Sequence, residues 1–159
     1  MIDFHITAMN RNIAEQISTW DFGEGYEFYN INEDPYVIET FLNGHYYVIF
    51  KNDIIFGFFC DGDSARMHDE YEICDDMIDI GFALHPNFIG HGYGRQFIKL
   101  IMNYYGDSFQ FRLTVAAFNQ RGIRLYEKMG FIEQKRFFEA IEGTTYEFIV
   151  MVMNQSQDR

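Results

Sequence analysis

The chain has 159 residues, room for about one domain, and its 48% hydrophobic and 23% charged residues suit a folded globular protein and exclude a disordered one. With 12 Lys and Arg against 24 Asp and Glu, the net charge of −12 repels phosphate backbones and anionic membranes, so no nucleic-acid or membrane partner is expected. No apolar run approaches the roughly 20 residues of a membrane span, and the opening MIDFHITAMN lacks the basic start and apolar block of a secretory leader.

The two cysteines, Cys60 and Cys74, are too few for a disulfide scaffold and fit no metal spacing, which makes a reducing cytoplasm the expected location and leaves no metal site. A cationic substrate suits the acidic balance, although acidity also serves plain solubility. Aromatic residues reach 19%, and most belong in the core.

Met1 to Ala8 reads as a short strand with Ile2, Phe4 and Ile6 on one face. Asn10 to Trp20 carries Ile13, Ile17 and Trp20 at helical spacing. Asp21 to Asp34 is a loop, after which Pro35 opens a helix with Val37, Ile38, Phe41 and Leu42 as its stripe and Gly44 as its stop. His45 to Phe50 and Ile54 to Cys60 form a hairpin around Lys51, Asn52 and Asp53. Asp61 to Asp76 is an acidic loop, and Met77 to His85 is a strand that ends at Pro86. A helix spans Gly94 to Tyr105, a strand Gln110 to Ala117, and a helix Asn119 to Met129, closed by Gly130. Phe131 to Phe138 and Thr144 to Met153 are strands around the turn Glu142 and Gly143. The order β-α-α-β-β-β-α-β-α-β-β predicts an α/β fold: one domain over residues 1–153, with a mixed, mostly antiparallel sheet flanked by helices, a parallel crossover from the Met77 strand to the Gln110 strand, and a polar tail at 154–159.

The sharpest local feature is Ile89, Gly90, His91, Gly92, Tyr93, Gly94 and Arg95, a glycine-rich turn between a strand and a helix. Glycines there let the backbone approach a ligand, and the unpaired amides of a helix start attract phosphate; a tight turn with no ligand explains the same residues. The Walker pattern needs Gly-Lys-Ser/Thr where this chain has Gly94, Arg95 and Gln96. The dinucleotide pattern needs Gly-x-Gly-x-x-Gly where it has Gly90-x-Gly92-x-Gly94. Neither fits. The second feature runs from Asn119 through Leu125, Tyr126 and Gly130 to Phe131. Asn119 suits a helix N-cap, and Tyr126 shares a stripe with Ile123 and Met129, so a core tyrosine is one reading of it.

Together these segments resemble the GNAT superfamily of acyl-CoA-dependent N-acyltransferases: a strand ending at Pro (Ile80 to Pro86), the turn Ile89 to Gly94, and Asn119 followed by Leu125-Tyr126 and Gly130-Phe131. The resemblance covers His45 to Met153; the first 44 residues match in element order only. Ile89 departs from it, standing where the family usually has Arg or Gln. The resemblance implies that the amides of Gly90, His91, Gly92, Tyr93, Gly94 and Arg95 hold the pyrophosphate of acetyl-CoA, the cosubstrate. It implies that the main chain of Phe82 and Leu84 pairs with the pantetheine arm like an added strand, with the Leu84 amide facing the thioester carbonyl. Asn119 would contact the arm, and Tyr126 would point at the sulfur. A homodimer is compatible with the resemblance.

The chemistry explains these residue types. Amine attack on a thioester puts negative charge on the carbonyl oxygen, which a preset N–H stabilises. The thiolate leaves with a pKa near 8.5, and a phenol of pKa about 10 is a suitable proton donor, so Tyr126 is the expected general acid. An alkyl ammonium, pKa about 10.4, must lose a proton through a base, a desolvated site or water. Asp79 is the expected base, on a strand face with the small Gly81 and Ala83 and with His85; a strand-edge charge bonded to a loop is the other reading. Glu72, Asp75 and Asp76 could attract a cation, Glu139 and Glu147 are weaker candidates for the base, and His85 is a candidate relay.

The leading reading is acetyl transfer from acetyl-CoA to a primary amine, small molecule or peptide, in a ternary complex, and the acidic balance is compatible with a cationic acceptor. The alternatives are an acyl-CoA-binding regulatory module without turnover, which Ile89 favours, and an unrelated phosphate-binding protein. The acceptor pocket is expected from the loops Asp21 to Asp34 and Asp61 to Asp76.

Overall fold

The computed structural model describes residues 2–67 and 71–153; Met1 of the expected first strand, residues 68–70 of the acidic loop and the expected tail 154–159 lie outside the described residues. The elements follow the expected order: β1 (Phe4–Ala8), α1 (Arg11–Ile17), α2 (Pro35–Thr40), β2 (Tyr46–Lys51), β3 (Ile54–Asp61), β4 (Met77–Leu84), α3 (Gly94–Tyr105), β5 (Gln110–Ala116), α4 (Gln120–Lys128), β6 (Phe131–Ile141) and β7 (Thr144–Met153). Single 3-10 turns at Glu27–Tyr29, Gly62–Ala65 and Pro86–Phe88 add to them. The sheet has seven strands in the order β1-β2-β3-β4-β5-β7-β6 and is mostly antiparallel.

Helix ends differ from the periodicity for local reasons. α1 begins behind Asn10, whose Oδ1 accepts from the Ile13 amide at 2.9 Å. It ends at Ile17, short of Trp20, because the Ser18 and Thr19 hydroxyls donate back to the Glu15 and Gln16 carbonyls at 2.6 and 2.7 Å while the Trp20 amide tightens onto Ile17 O. Asp34 caps α2 through the Tyr36 amide, with Pro35 in the first turn, and the helix stops at Thr40 rather than at Gly44. β6 runs on to Ile141 because Glu142 and Gly143 both take left-handed φ, 51° and 84°, and this two-residue turn holds Ile141 opposite Thr144.

The chain packs as two units, residues 1–60 with 82–97, and residues 61–81 with 98–159; β4 and α3 pass from one to the other. In the first, β1 pairs antiparallel with β2, and β2 with β3. Ile13, Ala14 and Ile17 of α1, Ile38 of α2, Trp20, Phe41 and Val48 form one buried cluster. A second cluster surrounds Phe56, whose ring meets Phe88, Tyr93 and Phe97 edge-on at 5.1, 5.6 and 5.6 Å. Gly57 makes this approach possible: a Cβ there would lie 2.6 Å from the Phe97 ring and 2.7 Å from the Ala83 carbonyl.

In the second unit β4 runs parallel to β5 through Met77↔Gln110, Ile78↔Phe111 and Asp79↔Arg112, the expected crossover. β7 pairs antiparallel with both β5 and β6. The parallel register closes at Asp79, while β4 continues to Leu84.

Candidate functional site

In the first unit the end of β4 leads directly into the glycine turn. The Phe82 ring packs edge-on against Phe97 at 5.9 Å, which sets the strand end beside α3. The His85 amide donates to Phe56 O at 2.7 Å, and the chain then turns through Pro86–Phe88. His85 Nδ1 accepts from the Asn87 amide at 3.0 Å, so the neutral ring carries its proton on Nε2. Burial pushes this imidazole below the usual histidine value.

Gly90 and Gly92 hold φ at +83° and +85°, where L side chains are strained, and no atom lies within 4 Å of a Cβ built on either. His91 and Arg95 are exposed, while Tyr93 turns its ring inward against Phe88 at 5.3 Å. Phe97 N–H bonds to Tyr93 O, so the amides of Gly94, Arg95 and Gln96 precede the α3 ladder and have no partner within the helix. Open space over two left-handed glycines, followed by a twelve-residue helix, fits a diphosphate.

Two further signals support that fit. None of the 24 Asp and Glu residues falls between Gly81 and Tyr105, an acid-free stretch in an acidic chain. The Lys51 ammonium lies 5.9 and 5.8 Å from the ring centres of Phe88 and Tyr93, bringing a cation to the aromatic pair around the turn. The acid-free stretch was legible in the sequence; the placement of Lys51, far away in the chain, was not.

In the second unit Asp79 and Arg112 are each 3% exposed. Arg112 donates to both Asp79 oxygens, from Nε at 2.5 Å and Nη2 at 2.8 Å, and Arg66 Nε adds a third bond at 2.8 Å. Asp79 holds the Arg112 guanidinium above its ordinary value. Arg66 also pairs with Asp63, and Arg112 lies 5.1 Å from the ring centre of Tyr71, whose hydroxyl meets Thr114 Oγ1 at 2.5 Å.

This geometry bears on the reading of Asp79 as the base, since its carboxylate is engaged by two guanidinium groups. Both its oxygens already accept from guanidinium groups, that of Arg112 buried and that of Arg66 partly exposed and paired with Asp63 as well.

Asn119 caps α4, its Oδ1 accepting from Gly122 N at 2.9 Å. Tyr126 is half-buried on α4 and meets Phe131 at 6.2 Å between ring centres. Phe82, Leu84 and Gly90 to Arg95 thus belong to the first unit, and Asp79, Asn119 and Tyr126 to the second. Among the described residues no group of three or more His, Cys, Asp or Glu side chains is placed to hold a metal ion, and no helix is long and apolar enough to cross a membrane.

The family model described as Acetyltransferase (GNAT) family matches residues 11–131. The chain belongs to this family of acyl-CoA-dependent N-acetyltransferases. No curated protein sequence matches it. Among solved structures, it is similar to a chimera of the Vibrio cholerae spermidine N-acetyltransferase SpeG with hSSAT, at 18% identity and a TM-score of 0.67 over 97% of this chain and 96% of that one. A mutant form of the Vibrio cholerae enzyme aligns at 22% identity and a TM-score of 0.63 over 96% of each chain. The yncA protein of Salmonella typhimurium, solved with its cofactor acetyl-CoA, aligns at 15% identity and a TM-score of 0.61 over 96% of this chain and 94% of that one. At these identities the likeness is one of fold.

Proposed function

We propose that residues 1–153 act as one N-acetyltransferase domain that moves an acetyl group from acetyl-CoA to a primary amine by direct attack in a ternary complex in the cytoplasm. The observation that carries this reading is the acid-free turn with left-handed Gly90 and Gly92 at the start of α3. Acetyl-CoA supplies the acyl group as a thioester. The amides of Gly90 to Arg95 neutralise its diphosphate, and the main chain of Phe82 and Leu84 aligns its arm. The Leu84 N–H faces the charge that grows on the carbonyl oxygen; one such donor is worth about 3–4 kcal/mol of barrier.

Tyr126 gives its proton to the departing thiolate. Asn119, whose Oδ1 caps α4, contacts the pantetheine arm. Because Asp79 is tied to Arg112 and Arg66, the amine loses its proton to water before attack. The rate then rises with pH along the amine's own ionisation. A cationic acceptor such as a polyamine suits the net charge of −12 and agrees with the spermidine N-acetyltransferases of Vibrio cholerae that share the fold.

Thiol release from acetyl-CoA, measured against a panel of primary amines, tests this. Tyr126→Phe is expected to lower kcat by about 100-fold, with CoA affinity kept. If CoA binds but no amine elicits thiol release, and Tyr126→Phe changes nothing, the chain is the regulatory binding module that Ile89 favours.

A further inference from the structure

The first unit contains a surface cleft of about 540 Å³, lined by Asn12, Glu15, Gln16, Thr19, Trp20 and His85. Four of these come from one side of α1 and the residues just after it, where the spacing 12, 15, 16, 19 keeps side chains on a common face. His85 follows Leu84 directly in the chain, and its ring lies 4.6 Å from that of Trp20. The cleft therefore opens at the end of β4, and its lining includes no residue of the loops Asp21 to Asp34 and Asp61 to Asp76.

The polar groups of the cleft are suited to a cation. No Lys or Arg lines it. The Glu15 carboxylate makes no hydrogen bond or ion pair among the described residues; its charge acts on Arg11, one turn earlier, whose guanidinium is itself held by Glu39 at 2.5 Å. Gln16 Nε2 donates to Asn12 Oδ1 at 2.6 Å, which fixes the two amides and leaves the Gln16 carbonyl as an acceptor. Trp20, 9% exposed and mostly in the core, lines the cleft with the part of its indole that stays outside, an aromatic partner for an ammonium group. Burial disfavours the charged form of His85, which weakens its repulsion of a cation.

We propose that this cleft is the acceptor subsite and selects a diamine, an alkyl chain bearing a second ammonium that pairs with Glu15 and lies against Trp20 while its far amine is acetylated. The assignment rests on the acetyl-transfer reading for its role, while the binding of a dication stands apart from it.

Trp20 is the chain's single tryptophan, so its fluorescence reports occupancy without any turnover. The full chain is titrated with 1,4-diaminobutane and with n-butylamine at matched ionic strength. The diamine is expected to change Trp20 emission with at least tenfold tighter binding than the monoamine. Glu15→Gln is expected to weaken the diamine about tenfold and to leave the monoamine within twofold; Glu15 is exposed, so this variant keeps its fold. Equal binding of the two amines, or a Glu15→Gln variant that binds the diamine like the parent, overturns the proposal. Failure of acetyl transfer alone would leave the titration intact and count against the catalytic reading. Transfer with a diamine kcat/KM that ignores Glu15 would count against the cleft alone.

Discussion

Asp79 and Arg112 stand opposite each other in the parallel register of β4 and β5, and their side chains close the same pair with two hydrogen bonds, at 2.5 and 2.8 Å. The pair lies where the parallel ladder ends, with Arg66 drawn onto the same carboxylate from the segment after β3. An interaction between two buried charges is worth little over a well-packed apolar pair, but removing one partner leaves the other stranded.

Asp79→Ala is therefore expected to destabilise the fold by about 3–5 kcal/mol, because it strands a buried guanidinium. Denaturant titration of the variant and the parent measures this. A folded Asp79→Asn that loses over 100-fold in kcat, with its pH profile flattened, would restore Asp79 as a base.

The His85 imidazole is held below its usual value by burial, so the unfolded chain binds its proton more readily than the folded one. Above about pH 6.5 both states are neutral and the effect vanishes. As pH falls through that value towards the lower folded value, stability is lost, and protonation of Nδ1 also breaks the bond from the Asn87 amide. Melting temperatures between pH 7.5 and 5 are expected to fall more steeply for the parent than for His85→Gln. Parallel curves would show that this histidine does not contribute.

Gly90 and Gly92 occupy the left-handed region, so Gly90→Ala is expected to strain the turn by roughly 1 kcal/mol and to weaken CoA about fivefold. Calorimetric titration with CoA reads this directly. A larger side chain such as valine, which also fills the space over the glycine, is expected to lose more. Unchanged affinity in both variants would remove the turn from the coenzyme site.

Much of the fold was legible because its signals are local. α3 spans Gly94–Tyr105 and β7 spans Thr144–Met153, with the bounds that apolar periodicity and the Glu142-Gly143 turn indicate. Asn119 and Gly90 declare themselves through capping chemistry and backbone freedom, which depend on a few neighbouring residues. The end of α1 was misread because the hydroxyls of Ser18 and Thr19 compete for carbonyls that the hydrophobic stripe ignores. The surroundings of Asp79 were not legible for a different reason. Its partners Arg66 and Arg112 lie 13 and 33 residues away, and no spacing rule connects them.

By itself, then, the sequence determined the order of strands and helices, the glycine turn at the start of α3, the cap of α4 and the family these features resemble, since each follows from torsional preference and side-chain period within a short window. Only the tertiary structure decided that Asp79 is a buried counterion, that Lys51 sits over Phe88 and Tyr93, and that Trp20 meets His85 at a cleft beside Glu15. Those outcomes depend on strand register and helix placement, which bring together side chains that chain distance keeps far apart.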